Sequence, residues 1–358
     1  MKRALLHLPL TAAGLAVVLV ILAFNATSAH ADSPLGEAKM ARANKAASVV
    51  VRGRMASERP ADFKLLESVG SAEIIVVAGT YDRVQDVLGV VGVPHLMITP
   101  GELDNIELNA KQLVMVNCPG TVSEKGIDKL QKFVRAGGFL YTTDWALTNV
   151  VQKAFPGYIK YNDRPTSNDV VAVKVAGKDN VFLQHIQLSK SAPKWWLEAS
   201  SYPVKILRPG EVEVLIESDE MRSKYGAAPI AVTFPYGDGR VLHIVSHFYL
   251  QQNETRTVAE NQDGDKWLEG ETLLAKDLAD ELANDPDVAA AKGGDINSAY
   301  AAQQFTTNLI VTRKRDQKRI DGLYNRRMKR KKAGAFGSGA KVKVVGKKGN
   351  RTKVRAMN

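Results

Sequence analysis

Continuous apolar runs recur along the first half of the chain, and helical spacing of apolar residues separates several of them. The clearest run covers residues 73–78, and further short strands are predicted at His95–Ile98, Leu113–Val116 and Phe139–Thr143. Such runs suit strands that are covered on both faces, as in parallel sheets. Their alternation with helices predicts an α/β fold with a doubly wound, mostly parallel sheet of the flavodoxin-like or amidotransferase-like kind.

The best-defined helix of this pattern lies between the last two runs. Thr121 and Glu124 have the spacing of a capping box, and the apolar residues Ile127, Leu130 and Val134 share one helical face. The pair Gly137-Gly138 then ends the helix, because glycine disfavours its continuation.

Short β-rich segments dominate from about residue 159 to 246, and helices follow. The predicted strands are Val170–Val175, Val204–Leu207, Val212–Ile216, Pro229–Phe234 and Arg240–Ser246; the predicted helices are Trp267–Leu282 and Asp295–Leu309. From residue 313 onward almost no hydrophobic periodicity is left. Residues 341–355 predict at most a marginal, solvated hairpin.

The amino terminus has the pattern of an export signal. Lys2 and Arg3 precede a mostly apolar run over residues 4–24, and Ala29-His30-Ala31 is a small-residue cleavage site. An uncleaved anchor is the alternative, since about 20 apolar residues can span a bilayer. We expect an exported protein of the periplasm, cell envelope or extracellular space, with membrane contact only if the signal stays uncleaved.

These patterns divide the chain into five parts. Residues 1–31 are a signal peptide and 32–62 a linker with one short helix near residues 37–51. Residues 63–255 form the α/β domain with its β-rich additions, 256–312 a helical extension, and 313–358 a basic, disordered tail.

Composition changes this picture in two respects. The single cysteine, Cys118, excludes an internal disulfide framework and a multi-cysteine metal site. The net charge of +11 is unevenly distributed, because the tail from Arg313 carries 18 basic and 2 acidic residues. The remaining chain is therefore mildly acidic.

The tail is expected to bind polyanions electrostatically, through a polyanionic surface or an acidic protein partner. It has too few aromatic residues for stacking on nucleic-acid bases. The residues expected to make these contacts are Arg326, Arg327, Lys329, Arg330, Lys331, Lys332, Lys347 and Lys348.

The segment Leu113–Leu147, LVMVNCPGTVSEKGIDKLQKFVRAGGFLYTTDWAL, resembles the class I glutamine amidotransferase-like superfamily, especially its divergent trehalose-utilisation-like members. Gly239–Phe248, GRVLHIVSHF, is similar to the terminal strand that carries the catalytic histidine of that superfamily. The resemblance implies a Cys-His-Glu triad with the cysteine at a sharp elbow after a strand.

The triad is not retained here. Asp144 stands where the resemblance places the nucleophile, and Tyr249 stands where it places the glutamate, so only His247 matches. Cys118 lies one strand earlier, in the loop where the superfamily has an oxyanion-hole backbone. Glutaminase chemistry is therefore not expected, because it needs an activated nucleophile at the elbow.

Asp144 and His247 are the candidate catalytic residues, because both follow predicted strands and so lie at the carboxyl edge of the sheet, where ligands of such folds bind. In the alternative interpretation, Asp144 caps the next helix and His247 is a structural histidine. A small polar ligand in the cleft would contact Asn117, Cys118, Gly120, Asp144, Trp145 and His247. Trp145, Trp195 and Trp196 are predicted either to line that cleft or to pack in the core.

No cofactor or metal is predicted. His243 and His247 lie on one predicted strand, where four residues separate them by about 13 Å, too far for one ion.

The preferred hypothesis is an exported, non-catalytic binding or scaffolding protein tethered by its tail. The alternatives are an envelope hydrolase acting on a carbohydrate or amide through Asp144 and His247, and a nucleic-acid or polyanion binder that acts through the tail.

Overall fold

The structure, a computed structural model, describes residues 34–177, 179–247 and 257–337. The predicted signal peptide, the predicted hairpin over 341–355, and Lys347 and Lys348 lie outside these residues. So does the segment 248–256, which follows the candidate residue His247. No helix in the described ranges has the length and apolar character needed to cross a bilayer.

A mixed sheet forms the centre of the molecule and confirms the predicted α/β class. Among the described residues, eight strands pair in the order β2-β1-β3-β4-β12-β11-β10-β7, and the first five of them run parallel. The strands of the chain are β1 (Ile74–Val77), β2 (Leu96–Ile98), β3 (Leu113–Val116), β4 (Phe139–Thr143), β5 (Ile159–Tyr161), β6 (Asp169–Ala172), β7 (Lys174–Val175), β8 (Lys194–Leu197), β9 (Val204–Ile206), β10 (Glu213–Glu217), β11 (Pro229–Tyr236) and β12 (Gly239–Ile244).

The residues of β1, β3 and β4 are all buried, as expected for strands covered on both faces. The helices in the described part of the chain are α1 (Pro34–Glu58), α2 (Pro60–Glu67), α3 (Val84–Val91), α4 (Glu124–Arg135), α5 (Gln152–Ala154), α6 (Asp219–Tyr225), α7 (Gly264–Glu271), α8 (Lys276–Ala283), α9 (Pro286–Ala289) and α10 (Gly293–Gly337). Single 3-10 turns occur at Ser71–Glu73, Glu102–Asp104 and Val181–Leu183, and a π-helical turn at Leu147–Val151.

The predicted helix α4 is present, but its cap is not the predicted one. Ser123 is the N-cap, and its hydroxyl accepts a hydrogen bond from the backbone N–H of Gly126 at 3.0 Å. Thr121 lies two residues too early for this role. The predicted end is correct, since Gly137 takes a φ of +113°, which glycine adopts at low cost.

The β-rich additions form two small ribbons and the antiparallel side of the main sheet. Strand β5 pairs with β9, and β6 pairs with β8, each antiparallel. Strands β10, β11 and β7 extend the parallel sheet beyond β12. The segment between β8 and β9 carries residues 198–203 to the carboxyl edge of the parallel strands, where they contact Asp144.

The predicted linker over residues 32–62 is largely helical in the structure. Helix α1 has 25 residues and buries an apolar stripe at helical spacing, formed by Ala43, Ala46, Ala47, Val50 and Val51. It packs against α10, and Gln303 donates a hydrogen bond to the backbone carbonyl of Asn44 at 2.8 Å. Alanine gives a strong helical propensity and a close approach between helices, but only a weak hydrophobic signal in the sequence.

A disordered tail was predicted from residue 313 onward, but in the structure the chain remains helical and in contact with the folded body beyond that residue. Helix α10 continues to Gly337, because Lys and Arg are good helix formers even without an apolar stripe. The part of α10 that begins at Arg313 packs against the body. The Arg313 guanidinium donates a hydrogen bond to the carbonyl of Lys111 at 3.1 Å, and Lys314 pairs with Glu73 at 2.5 Å. Burial lowers the pKa of Arg313 to about 10.

Candidate active site

Polar side chains converge where four parallel strands end. Asp82 follows β1, Cys118 follows β3, Asp144 follows β4 and His247 follows β12. Because these strands run parallel and are neighbours in the sheet, their carboxyl ends meet at one edge. The convergence of Asp144 and His247 expected from the sequence is therefore present.

Asp144 occupies a sharp turn directly after β4. Its φ of +40° lies in the left-handed region, which costs a residue other than glycine about 1 kcal/mol or more. Its carboxylate accepts hydrogen bonds from the Ser201 hydroxyl at 3.0 Å and the Tyr202 backbone N–H at 2.7 Å. The side chain is 2% exposed and is directed to these partners, so it does not cap the next helix.

His247 is held between two carboxylates. Its Nδ1 lies 2.8 Å from Oε2 of Glu198, and its Nε2 lies 3.2 Å from Oδ2 of Asp144. Burial alone would lower the pKa of His247, but hydrogen bonding to Asp144, Cys118 and Glu198 raises it well above its usual value. The imidazole is thus fixed in orientation and favoured in its charged form.

Cys118 belongs to the same cluster. Its Sγ and one ligand atom each of Asp144 and His247 all lie within 4.8 Å of one another. The backbone N–H of Cys118 donates to the Thr143 hydroxyl at 2.9 Å, which fixes the loop after β3 against β4. Burial raises the pKa of the Cys118 thiol, while His247 acts in the opposite direction.

Asp82 is a further buried acid beside the cluster. Its Oδ1 accepts the backbone N–H of Arg83 at 2.8 Å, and its Oδ2 has no hydrogen-bond partner among the described residues. Burial raises the pKa of Asp82, and the charge of His247 opposes that increase. A buried carboxyl oxygen of this kind is costly and calls for a role.

Aromatic side chains border the cluster on one side. The Trp145 ring stacks on Tyr202 at 5.6 Å and meets Tyr81 edge-on at 5.3 Å. Tyr81 is 43% exposed, so this border reaches solvent. Of the three tryptophans considered from the sequence, only Trp145 lies here, since Trp195 and Trp196 are buried in β8.

The other predicted ligand residues have structural partners. The Asn117 side chain is buried and donates to Oε1 of Gln85 at 2.9 Å. Gly120 has a φ of +71° and packs so closely on Ala146 that an added Cβ would lie 2.8 Å from the Ala146 Cβ. Gly120 also lines an open groove of about 470 Å³ with Thr121, Asn149 and Lys153.

Of the predicted polyanion-binding residues, Arg326 is exposed on α10. Arg327, Lys329, Arg330, Lys331 and Lys332 belong to the same helix.

Three residues of the site, Glu198, Asp82 and Ser201, were not predicted from the sequence. Asp82 had a usable signal, since it follows a buried strand by five residues, and the loop that holds Cys118 likewise follows a buried strand. Glu198 and Ser201 had none, because they reach the site on the segment between β8 and β9, outside the parallel strands.

No family model and no curated protein sequence matches the chain. Among solved structures, a putative GMP synthase subunit from Thermoplasma acidophilum aligns with 71% of this chain and 98% of its own, at 10% identity and a TM-score of 0.42. Gan42B, a GH42 β-galactosidase, aligns at 16% identity and a TM-score of 0.34. That alignment covers 49% of this chain and only 28% of the galactosidase. Similarities of this size assign no activity to the chain.

Proposed function

We propose that this chain is an exported hydrolase of polar substrates, carbohydrates or amides, and that the cluster of Asp144, Glu198, His247 and Cys118 activates the attacking water. One observation carries the proposal: His247 is held between Glu198 and Asp144 in a buried site. Above its raised pKa, an oriented imidazole between carboxylates can accept a proton from water, and once a cation displaces its proton it can hold an ion that activates the water.

The neighbouring surface supports a polar substrate. Tyr81 is 43% exposed and offers an aromatic ring beside the cluster, and such rings pack against sugar rings as well as apolar groups. Export is part of the proposal and is supported by Lys2, Arg3 and the apolar run that follows.

An amidotransferase-like origin of the sheet is also a proposal. It is supported by the strained elbow at Asp144, which follows β4 as the family's nucleophile follows its own strand. In this proposal the elbow no longer supplies a thiolate, and the only thiol near His247 comes from the preceding strand of the sheet.

The hydrolase proposal is tested with the purified chain on nitrophenyl esters, anilides and nitrophenyl glycosides. We expect Asp144→Asn and His247→Asn each to lower kcat/KM about 100-fold or more on any substrate that the wild type cleaves. Asp128→Asn and His95→Gln are the matched controls, because both residues lie outside the cluster, and we expect them to keep the wild-type rate.

Equal rates for Asp144→Asn and the wild type would contradict the proposal. If the folded wild type cleaves none of the three substrate classes, the non-catalytic binding module becomes the better account.

A second proposed function is electrostatic tethering by the carboxyl-terminal part of the chain. The observation behind it is that α10 continues to Gly337 and carries six basic residues between positions 326 and 332. An extended basic helix can contact an anionic surface while the body faces away.

Deleting residues 322–358 removes 13 basic residues and leaves the docked Arg313 and Lys314 in place. We expect the deletion to abolish sedimentation with phosphatidylglycerol vesicles, and wild-type binding to fall steeply as salt rises. Phosphatidylcholine vesicles are the control. Binding that is unchanged by the deletion or by high salt would contradict tethering.

A further inference from the structure

The cluster contains three different kinds of metal ligand at close range. A thiol sulfur, an imidazole nitrogen and a carboxylate oxygen, from Cys118, His247 and Asp144, lie within 4.8 Å of one another. All three residues are at most 4% exposed. In a tetrahedral zinc site, bond lengths of about 2.0–2.3 Å place ligand atoms about 3.3–3.8 Å apart. The cluster therefore needs shifts of only about 1 Å to close on one ion.

The charges of the site also favour a cation. Asp144 and Glu198 flank a single imidazole whose charge also acts on Asp82, and the ion pairs of Asp144 and Glu198 in the described part of the chain are with that imidazole alone. No lysine or arginine side chain pairs with these three acids there. Buried carboxylates are costly unless they are paired or coordinate a metal. A divalent cation would offset this excess of negative charge.

Asp82 supplies a separate observation. It is 1% exposed, its Oδ2 has no hydrogen-bond partner among the described residues, and it lies close enough for the charges of His247 and Asp144 to act on it. The Thr143 hydroxyl also acts on this carboxyl as a hydrogen-bonding group, so Asp82 lies beside the cluster as a buried acid with spare acceptor capacity. A water molecule held by a cation would supply a donor.

The surroundings orient the ligands in the way that metal sites require. A metal-ligating histidine ordinarily donates its other ring N–H to a carboxylate, and Glu198 lies 2.8 Å from Nδ1 of His247. That contact leaves Nε2 directed toward Asp144 and Cys118. Thr143 fixes the backbone of Cys118, and Ser201 and Tyr202 fix the Asp144 carboxylate.

We propose that Cys118, Asp144 and His247 bind one divalent transition-metal ion, best matched by Zn²⁺, with Glu198 orienting His247. This inference rests on the proposed hydrolase and specifies how its water is activated. Sulfur and nitrogen ligands favour zinc or cobalt over magnesium and calcium, which prefer oxygen. Three protein ligands leave a fourth position for water, whose pKa the ion lowers toward neutrality.

The test uses Co²⁺ as a spectroscopic probe, because a cobalt–thiolate bond gives a charge-transfer band in the near ultraviolet. The chain has one cysteine, so any such band must come from Cys118. We expect the chelator-treated, purified chain to bind one equivalent of Co²⁺ with this band, and Zn²⁺ to displace it.

Variants then assign the remaining ligands. We expect Cys118→Ala to abolish the band, and Asp144→Asn and His247→Asn each to weaken Zn²⁺ binding about 100-fold or more. Glu198→Gln should weaken it about 10- to 100-fold, as other losses of an orienting carboxylate do. Asp128→Asn and His95→Gln should bind as the wild type does.

A folded wild-type chain that binds no stoichiometric Co²⁺ or Zn²⁺, or that binds Co²⁺ without a thiolate band, would overturn the metal site. The metal site and the hydrolase proposal can fail independently of each other. Hydrolysis that depends on Asp144 and His247 but survives complete chelation removes the metal and keeps the enzyme. Metal binding by these residues without any hydrolysis supports the metal site and contradicts the hydrolase proposal.

Discussion

Replacing Gly79 by alanine is expected to lower the free energy of unfolding by about 3 kcal/mol and to displace the loop that holds Cys118. Gly79 follows β1, and an added Cβ would lie 2.1 Å from the backbone oxygen of Cys118 and 2.7 Å from the Cβ of Asn117. The clash is with backbone and with a buried side chain, so no flexible group can move aside. Overpacking of this kind ordinarily costs about 1–3 kcal/mol.

Gly89→Ala is the matched control, since it makes the same substitution in α3, the next helix along the chain. Gly89 lies inside α3 and has no atom within 4 Å of an added Cβ. Alanine there should stabilise the protein by about 0.5–1 kcal/mol, because glycine is a poor helix former. Urea unfolding curves measure both effects. A Gly79→Ala protein as stable as the wild type would mean that the loops after β1 and β3 do not pack as described.

The pKa values of His243, near the end of β12, and His247, just after that strand, are expected to shift in opposite directions from the usual histidine value. Burial lowers the pKa of His243 to about 3. For His247, burial also acts to lower the pKa, but Asp144, Cys118 and Glu198 outweigh it and raise the pKa well above the usual value. The two histidines lie only four residues apart, so a large difference between their pKa values indicates that the acids flank His247.

The opposite shifts give opposite effects on stability. Since the folded pKa of His247 exceeds the unfolded value of about 6.5, its stabilising contribution is complete below that pH and is lost as pH rises through the folded pKa. His243 behaves in the reverse way: its neutral form is favoured in the fold, so its contribution is present above about pH 6.5 and declines as pH falls toward 3.

The parallel part of the fold was predicted well from the sequence, because its strands have a distinctive hydrophobic pattern. Strands β1 and β3 are continuous apolar runs, β4 begins with three apolar or aromatic residues, and both faces of all three strands are buried in the structure. The same rule placed Asp144 and His247 at the carboxyl edge, since side chains that follow parallel strands must meet there.

The remainder could not be predicted for two physical reasons. Helix α1 packs through alanines such as Ala46 and Ala47, whose small apolar area gives little periodic signal although it permits close helix packing. Glu198 reaches His247 from the segment after β8, and pairing of that short ribbon depends on contacts remote in sequence. A single sequence carries no local mark of such contacts.

The most direct test of the assembled site is nitrogen-15 NMR of the imidazole rings, recorded against pH on the chain kept metal-free with a chelator. Variants His243→Gln and His247→Gln assign the two signals. We predict that the His247 ring keeps both protons well above pH 6.5, that Glu198→Gln and Asp144→Asn each lower its pKa, and that the His243 ring stays neutral to near pH 3. A His247 that titrates near 6.5, unmoved by either substitution, would show that the carboxylates do not enclose it and would contradict the account.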